Sequence, residues 1–171
     1  MHPAICSRTP LYWLLAVALA LAAIPTFWFL AFRVNSDLHH HARFIAECIK
    51  GGIFPLDFIY YGSVALLSCF SVNLETQLWA SVAVVTVALV AKLLVTQNCL
   101  GRWLGIDAVA RPESFDRLGL LAMGLLFLFC WPLPGMNWYL GQFPPNVWHN
   151  STTMALMPLA VLLFYHSSRF H

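Results

Sequence analysis

The chain has 171 residues, of which 60% are hydrophobic and only 9% charged, against the roughly 25% charged that soluble globular domains average. Lipid, not water, is the solvent this balance suits, and a formal charge of +2 with its basic residues scattered along the chain gives no nucleic-acid surface. The cysteines at 6, 48, 69, 99 and 130 show no C-x-x-C spacing, so neither a disulfide framework nor a zinc site is expected.

A spanning helix needs about 20 apolar residues. The expectation is therefore an all-α integral membrane protein, a single domain over residues 1–171, with about four to five transmembrane helices and one amphipathic surface helix. After a polar start ending in Arg8, Thr9 and Pro10, residues 11–32 carry no charge and form the first span. Their small-residue centre, AVALALAA, resembles a signal-peptide cleavage zone, but the apolar run continues through PTFWFLAF, which favours an uncleaved anchor. Pro25 is expected to kink it.

In RVNSDLHHHARFIAECIKGG, Leu38, Ala42, Ile45 and Ile49 recur at helical spacing opposite His39, His40, Arg43, Glu47 and Lys50. This predicts a helix over 37–50 lying on the membrane surface, capped by Ser36 or Asp37 and ended by Gly51 and Gly52. FPLDFIYYGSVALLSCFSV follows, diluted by Tyr60, Tyr61, Gly62, Ser63 and Ser68, and either spans or only dips into the bilayer. Residues 78–95 are a strong span with Lys92 snorkelling near its end. After a charged loop, with Ser114 and Asp116 as caps, comes a helix over 118–133 ended by Pro132 and Pro134. The next loop, GMNWYLGQFPPNVWHNSTT, is nearly uncharged yet crowded with aromatic and amide side chains, and a last helix covers 154–165 with Pro158 inside it.

Orientation depends on residues 58–72. If they span, Asp37 and the WHN loop face opposite sides, and of the nine lysines and arginines Arg8 alone lies outside, the arrangement the positive-inside rule prefers. If they are re-entrant, the two loops share a side, with Arg33, Arg43 and Lys50 on it.

Asp37 shares a helix face with His40 and His41, three and four residues on. A carboxylate beside imidazoles can serve as a general base or, with His41, as a metal ligand; the plainer role is a helix cap that complements the dipole. Three consecutive histidines cannot point one way on a helix that turns about 100° per residue. In GQFPPNVWHN, Gln142, Asn146, Trp148, His149 and Asn150 offer donors, acceptors and an aromatic face suited to a sugar or phosphate ester, although Trp and Tyr also mark membrane interfaces without catalysing anything. Asn150, Ser151 and Thr152 form a glycosylation sequon. Asp57 and Tyr61 stand where they can face the Asp37 helix, and an acid entering an apolar run is costly enough to mark a site.

The order of elements, a span, a loop and surface helix with Asp37 in NSDLHHHARFIAECIKGG, a Pro-initiated Tyr-rich segment in FPLDFIYYGSVALLSCFSVN, and YLGQFPPNVWHNSTT between later helices, resembles the N-terminal part of the GT-C superfamily of membrane glycosyltransferases. Those enzymes take sugars from polyprenyl-phosphate or polyprenyl-diphosphate carriers. The resemblance implies Asp37 as the base for the acceptor hydroxyl or as ligand of a divalent metal, His149 and Asn150 on the carrier phosphate or sugar, and Arg43 on the phosphate. It also implies a polyprenyl-linked sugar donor and, because GT-C enzymes run to several hundred residues, a partner chain supplying further helices. The bilayer is the other expected partner, and a bacterial inner membrane the expected location. Two alternatives remain: a small non-enzymatic membrane subunit or transporter component, and a metal-handling protein with His149 completing a site beside Asp37 and His41.

Overall fold

A computed structural model describes residues 9–33, 36–53, 58–130 and 151–168, all in helices and the turns between them, with no strand among the described residues. Asp57, Gln142, Asn146, Trp148, His149 and Asn150 lie outside the described residues. The elements are α1 (Pro10–Phe32), α2 (Asp37–Lys50), a π-helical turn (Phe58–Gly62) that runs on into α3 (Ser63–Leu67), α4 (Leu74–Trp103), α5 (Pro112–Cys130) and α6 (Ser151–Ser167).

α1 begins where its sequence allows. The Thr9 hydroxyl accepts from the Tyr12 backbone N–H, and Pro10 takes the first helical position, where a missing N–H costs nothing. The helix continues through Pro25, and the Thr26 hydroxyl donates to the Ala22 carbonyl at 2.9 Å. One face, including Leu15, Leu19, Ala23, Phe27 and Ala31, is buried, while Trp13, Leu14, Val17 and Leu21 on the other are exposed. A helix apolar on all sides, with more than half of Leu21 exposed (67%), is unusual in water. α1 and α4 are the helices among the described residues long and apolar enough to cross a membrane.

α2 carries the expected stripe, with Leu38, Ala42 and Ile45 buried, but that stripe packs against α4 and neighbouring helices. Its amphipathicity is therefore satisfied by protein. At its end Gly52, not Gly51, takes the left-handed conformation, with φ of 67°; Ile53 N–H bonds the Cys48 carbonyl and Gly52 N–H the Ile49 carbonyl, the paired bonds of a Schellman close.

α4 is the axis, packing against α1, α2, α3, α5 and α6. It is longer than residues 78–95, capped by Asn73, whose side chain accepts from Glu75 N–H, and continuing to Trp103. Lys92 is consequently mid-helix, well short of the end where it was expected to snorkel. The extension through Gln97 and Asn98 is held by tertiary partners: Gln97 Nε2 donates to the Phe115 carbonyl at 2.9 Å, and Asn98 Nδ2 to the Tyr12 hydroxyl at 2.9 Å. α5 starts at Pro112, before the expected position, so Ser114 and Asp116 are inside the helix and do not cap it; Asp116 instead accepts from the Thr9 hydroxyl. α6 extends the expected 154–165 at both ends.

Contacts along α4 fix the directions. Tyr12 meets Asn98 while the Phe32 ring lies tilted against Trp79 at 5.2 Å, so α1 is antiparallel to α4. Phe115 lies beside Gln97 and Tyr12, so α5 sets out from the C-terminal end of α4. Ala155 and Pro158 line a groove with Val84 and Ala88, whereas Tyr165 and His166 reach Cys99 and Arg102, so α6 is parallel to α4. One end of the bundle therefore holds the end of α1, the start of α2, the start of α4 and the start of α6, and α5 runs toward it, with Phe115 against Gly101 and Gly119 against Gln97.

Candidate functional site

At that end, Asp37 and His41 sit one turn apart on α2, with Asp37 Oδ2 3.2 Å from His41 Nε2. Ser36 occupies the N-cap position, but its hydroxyl donates to the Leu30 carbonyl at 2.6 Å and ties the start of α2 back to α1. Asp37 follows in the first turn, where the helix dipole favours a carboxylate.

The other nitrogen of His41 meets a second element. Nδ1 lies 2.5 Å from the hydroxyl of Tyr61, which the π turn presents from the far side. The Tyr61 ring also packs on the His41 ring at 5.3 Å and on Phe44 at 5.5 Å, and fully buried Tyr60 meets the same imidazole edge-on at 5.9 Å. The result is a carboxylate, an imidazole and a phenol in series, with Asp37 and His41 about three-quarters buried at their side chains (29% and 23% exposed). Such a series can take up, hold and pass a proton.

Of the residues singled out in the sequence, the structure brings Asp37, His41 and Tyr61 together. It does not bring Arg43 to them: two residues beyond His41, Arg43 is on another face of α2, where its exposed guanidinium donates to Glu47 at 3.1 Å. His40 is exposed, and His39 Nδ1 lies 3.1 Å from the Ala31 carbonyl, so the triplet does point three ways. Among the described residues no group of three or more His, Cys, Asp or Glu side chains gathers as a metal site. With both ring nitrogens engaged, His41 would have to leave Asp37 or Tyr61 to ligate a metal.

Sequence reasoning missed Tyr60 and Phe44 as walls of this site. The usable signal for Phe44 was its spacing of three from His41; nothing local marked Tyr60 over its neighbour. Ser151, the described start of α6 after residues 131–150, is at the same end of the bundle as Asp37, and α5, with Phe115 against Gly101 and Gly119 against Gln97, runs toward that end.

The chain matches no protein-family model, no curated protein and no solved structure.

Proposed function

We propose that this chain is an integral membrane protein and a GT-C-like glycosyltransferase module, in which the Asp37, His41 and Tyr61 cluster takes the proton from an acceptor hydroxyl while a polyprenyl-linked sugar is held nearby. The observation that carries the reading is the shared end: the Asp37, His41 and Tyr61 series lies at the end of the bundle where α6 begins after residues 131–150 and toward which α5 runs. Gln142, Asn146, Trp148, His149 and Asn150 would then contact the sugar or its carrier phosphate, with Asp57 entering from the segment before the π turn. A membrane setting is supported by the inverted surface, where large apolar side chains such as Leu14, Leu21, Leu163 and Phe164 are exposed on several helices. A bacterial inner membrane and a partner chain supplying further helices belong to the same reading.

A second reading rests on Arg43. Its pairing with Glu47 removes the expected phosphate ligand from the site, and a small non-enzymatic subunit would use Asp37, His41 and Tyr61 only as a clasp between α2 and the π turn.

The deciding assay uses the full chain in lipid nanodiscs with a polyprenyl-phosphate-linked radiolabelled sugar. The enzymatic reading expects sugar release or transfer above that of empty nanodiscs, carrier retention that depends on the phosphate, and loss of turnover but not of carrier in Asp37→Asn. Equal retention of polyprenol and polyprenyl phosphate, without turnover, assigns the chain to the subunit class.

A further inference from the structure

Lone-pair chemistry orders the three groups of the site. An ionised carboxylate offers only acceptors, so a neutral His41 facing Asp37 through Nε2 carries its proton there. Nδ1 is then left with a lone pair, and the group 2.5 Å from it is the one hydroxyl of Tyr61, which must donate. For the neutral imidazole the order is Tyr61 O–H to His41 Nδ1 and His41 Nε2–H to Asp37. This is the logic of a hydroxyl nucleophile or base activated by an imidazole that a carboxylate orients, with a phenol in the hydroxyl position.

We infer that Tyr61 is the residue that meets the acceptor substrate, with His41 as its proton store and Asp37 as a positioning residue. This deepens the transferase reading above and rests on it, and it moves the base from Asp37, where the sequence placed it, to the far end of the series. The Tyr61 oxygen, on giving its proton to Nδ1, can accept another. The acceptor hydroxyl passes its proton to the Tyr61 oxygen as the Tyr61 proton moves to His41 Nδ1. The imidazolium so formed faces the Asp37 carboxylate. The acceptor oxygen forms its bond to the anomeric carbon as the bond from that carbon to the carrier phosphate oxygen breaks, its electron pair leaving with the phosphate. Tyr61 and His41 then return the proton to water.

The aromatic walls suit this role. Tyr60 and Phe44 fix the planes of the His41 and Tyr61 rings, and the π turn that delivers Tyr61 is a rare geometry concentrated at functional sites.

The test is nitrogen NMR of the full chain in nanodiscs with imidazole-¹⁵N histidine, His41 being assigned by its loss in His41→Gln. The expected wild-type spectrum has Nε2 protonated and Nδ1 bare but hydrogen-bonded, and Tyr61→Phe, which keeps the ring packing, shifts Nδ1 toward the position of an unbonded nitrogen while leaving Nε2 in place. A protonated Nδ1 in the wild type, or an Nδ1 signal indifferent to Tyr61→Phe, overturns the assignment. In the sugar-transfer assay, Tyr61→Phe is expected to lose about 10²–10⁴-fold in turnover with carrier retention unchanged; wild-type turnover in that variant also overturns it. The expected spectrum with no turnover in the wild type sinks the transferase reading instead and leaves the proton order standing.

Discussion

Membrane crossing by the Tyr-rich segment is the prediction on which the proposed site stands. Its described helical part consists of two five-residue pieces, which at ~1.5 Å per residue advance about 15 Å, half of a hydrocarbon core of about 30 Å. By the same arithmetic the 23 residues of α1 and 30 residues of α4 reach about 35 and 45 Å. The chain should therefore cross at α1, return without crossing between α2 and α4, and cross again at α4. Single-cysteine labelling with a membrane-impermeant maleimide, in an otherwise cysteine-free chain, reads this directly. Ser36 is a poor probe, being buried and bonded to Leu30, so exposed His40 is replaced by Cys in its stead. His40→Cys, the native exposed Cys69 and Gln142→Cys are expected to react from one face. Val109→Cys and Ser168→Cys, both at exposed positions, should react from the other. Opposite faces for His40→Cys and Cys69 would show a full crossing between them, separate Asp37 from residues 131–150, and refute the shared site together with the transferase reading.

Two further outcomes test the scaffold. A Cβ at Gly119 would fall 2.6 Å from Gln97 Nε2, and Gln97 is wholly buried with no route to solvent; Gly119→Ala should therefore cost about 2–4 kcal/mol, read as a fall in thermal midpoint in detergent. Adding Gln97→Ala should relieve that clash, so additive effects of the two changes would refute the close-approach argument. Cys69 and Phe70 hold φ of 51° and 54° at the close of α3, pinned by Ser68 and by Gln77, whose amide donates to both Ser68 and Ser71. Cys69→Gly should raise stability by about 0.5–1 kcal/mol, and an unchanged or lowered midpoint would show that the turn is not strained there.

What was legible in the sequence is what repeats or terminates locally. The α2 stripe is a 3.6-residue period, and the Gly51 and Gly52 pair announces its end. The uncharged run of α1 needs no tertiary context. The extension of α4 is hidden because Thr96, Gln97 and Asn98 read as the start of a polar loop; the Phe115 carbonyl, distant in sequence, takes the Gln97 amide, and the Tyr12 hydroxyl shares the Asn98 amide with the Leu94 carbonyl. The early start of α5 was misjudged in favour of side-chain caps at Ser114 and Asp116, although Pro112 was the better signal for a first helical position.

The site divides along the same line. Asp37 and His41 are four apart on a helix, so their meeting follows from α2 alone. Tyr61 joins them from twenty residues away, and the π turn decides how. Residues of an α-helix are set about 100° apart, which would commit one of two consecutive tyrosines to the core and swing the other away from it. The wider π turn lets Tyr60 go into the core and Tyr61 put its hydroxyl on Nδ1, with both rings against one imidazole. No periodicity in FIYYG encodes that turn; the packing of α2 against α4 and of the π turn against α6 imposes it. Proton order in this site is thus a property of two elements docked together, and a change that straightens the π turn should silence the Tyr61 to His41 bond while leaving the Asp37 to His41 pair in place.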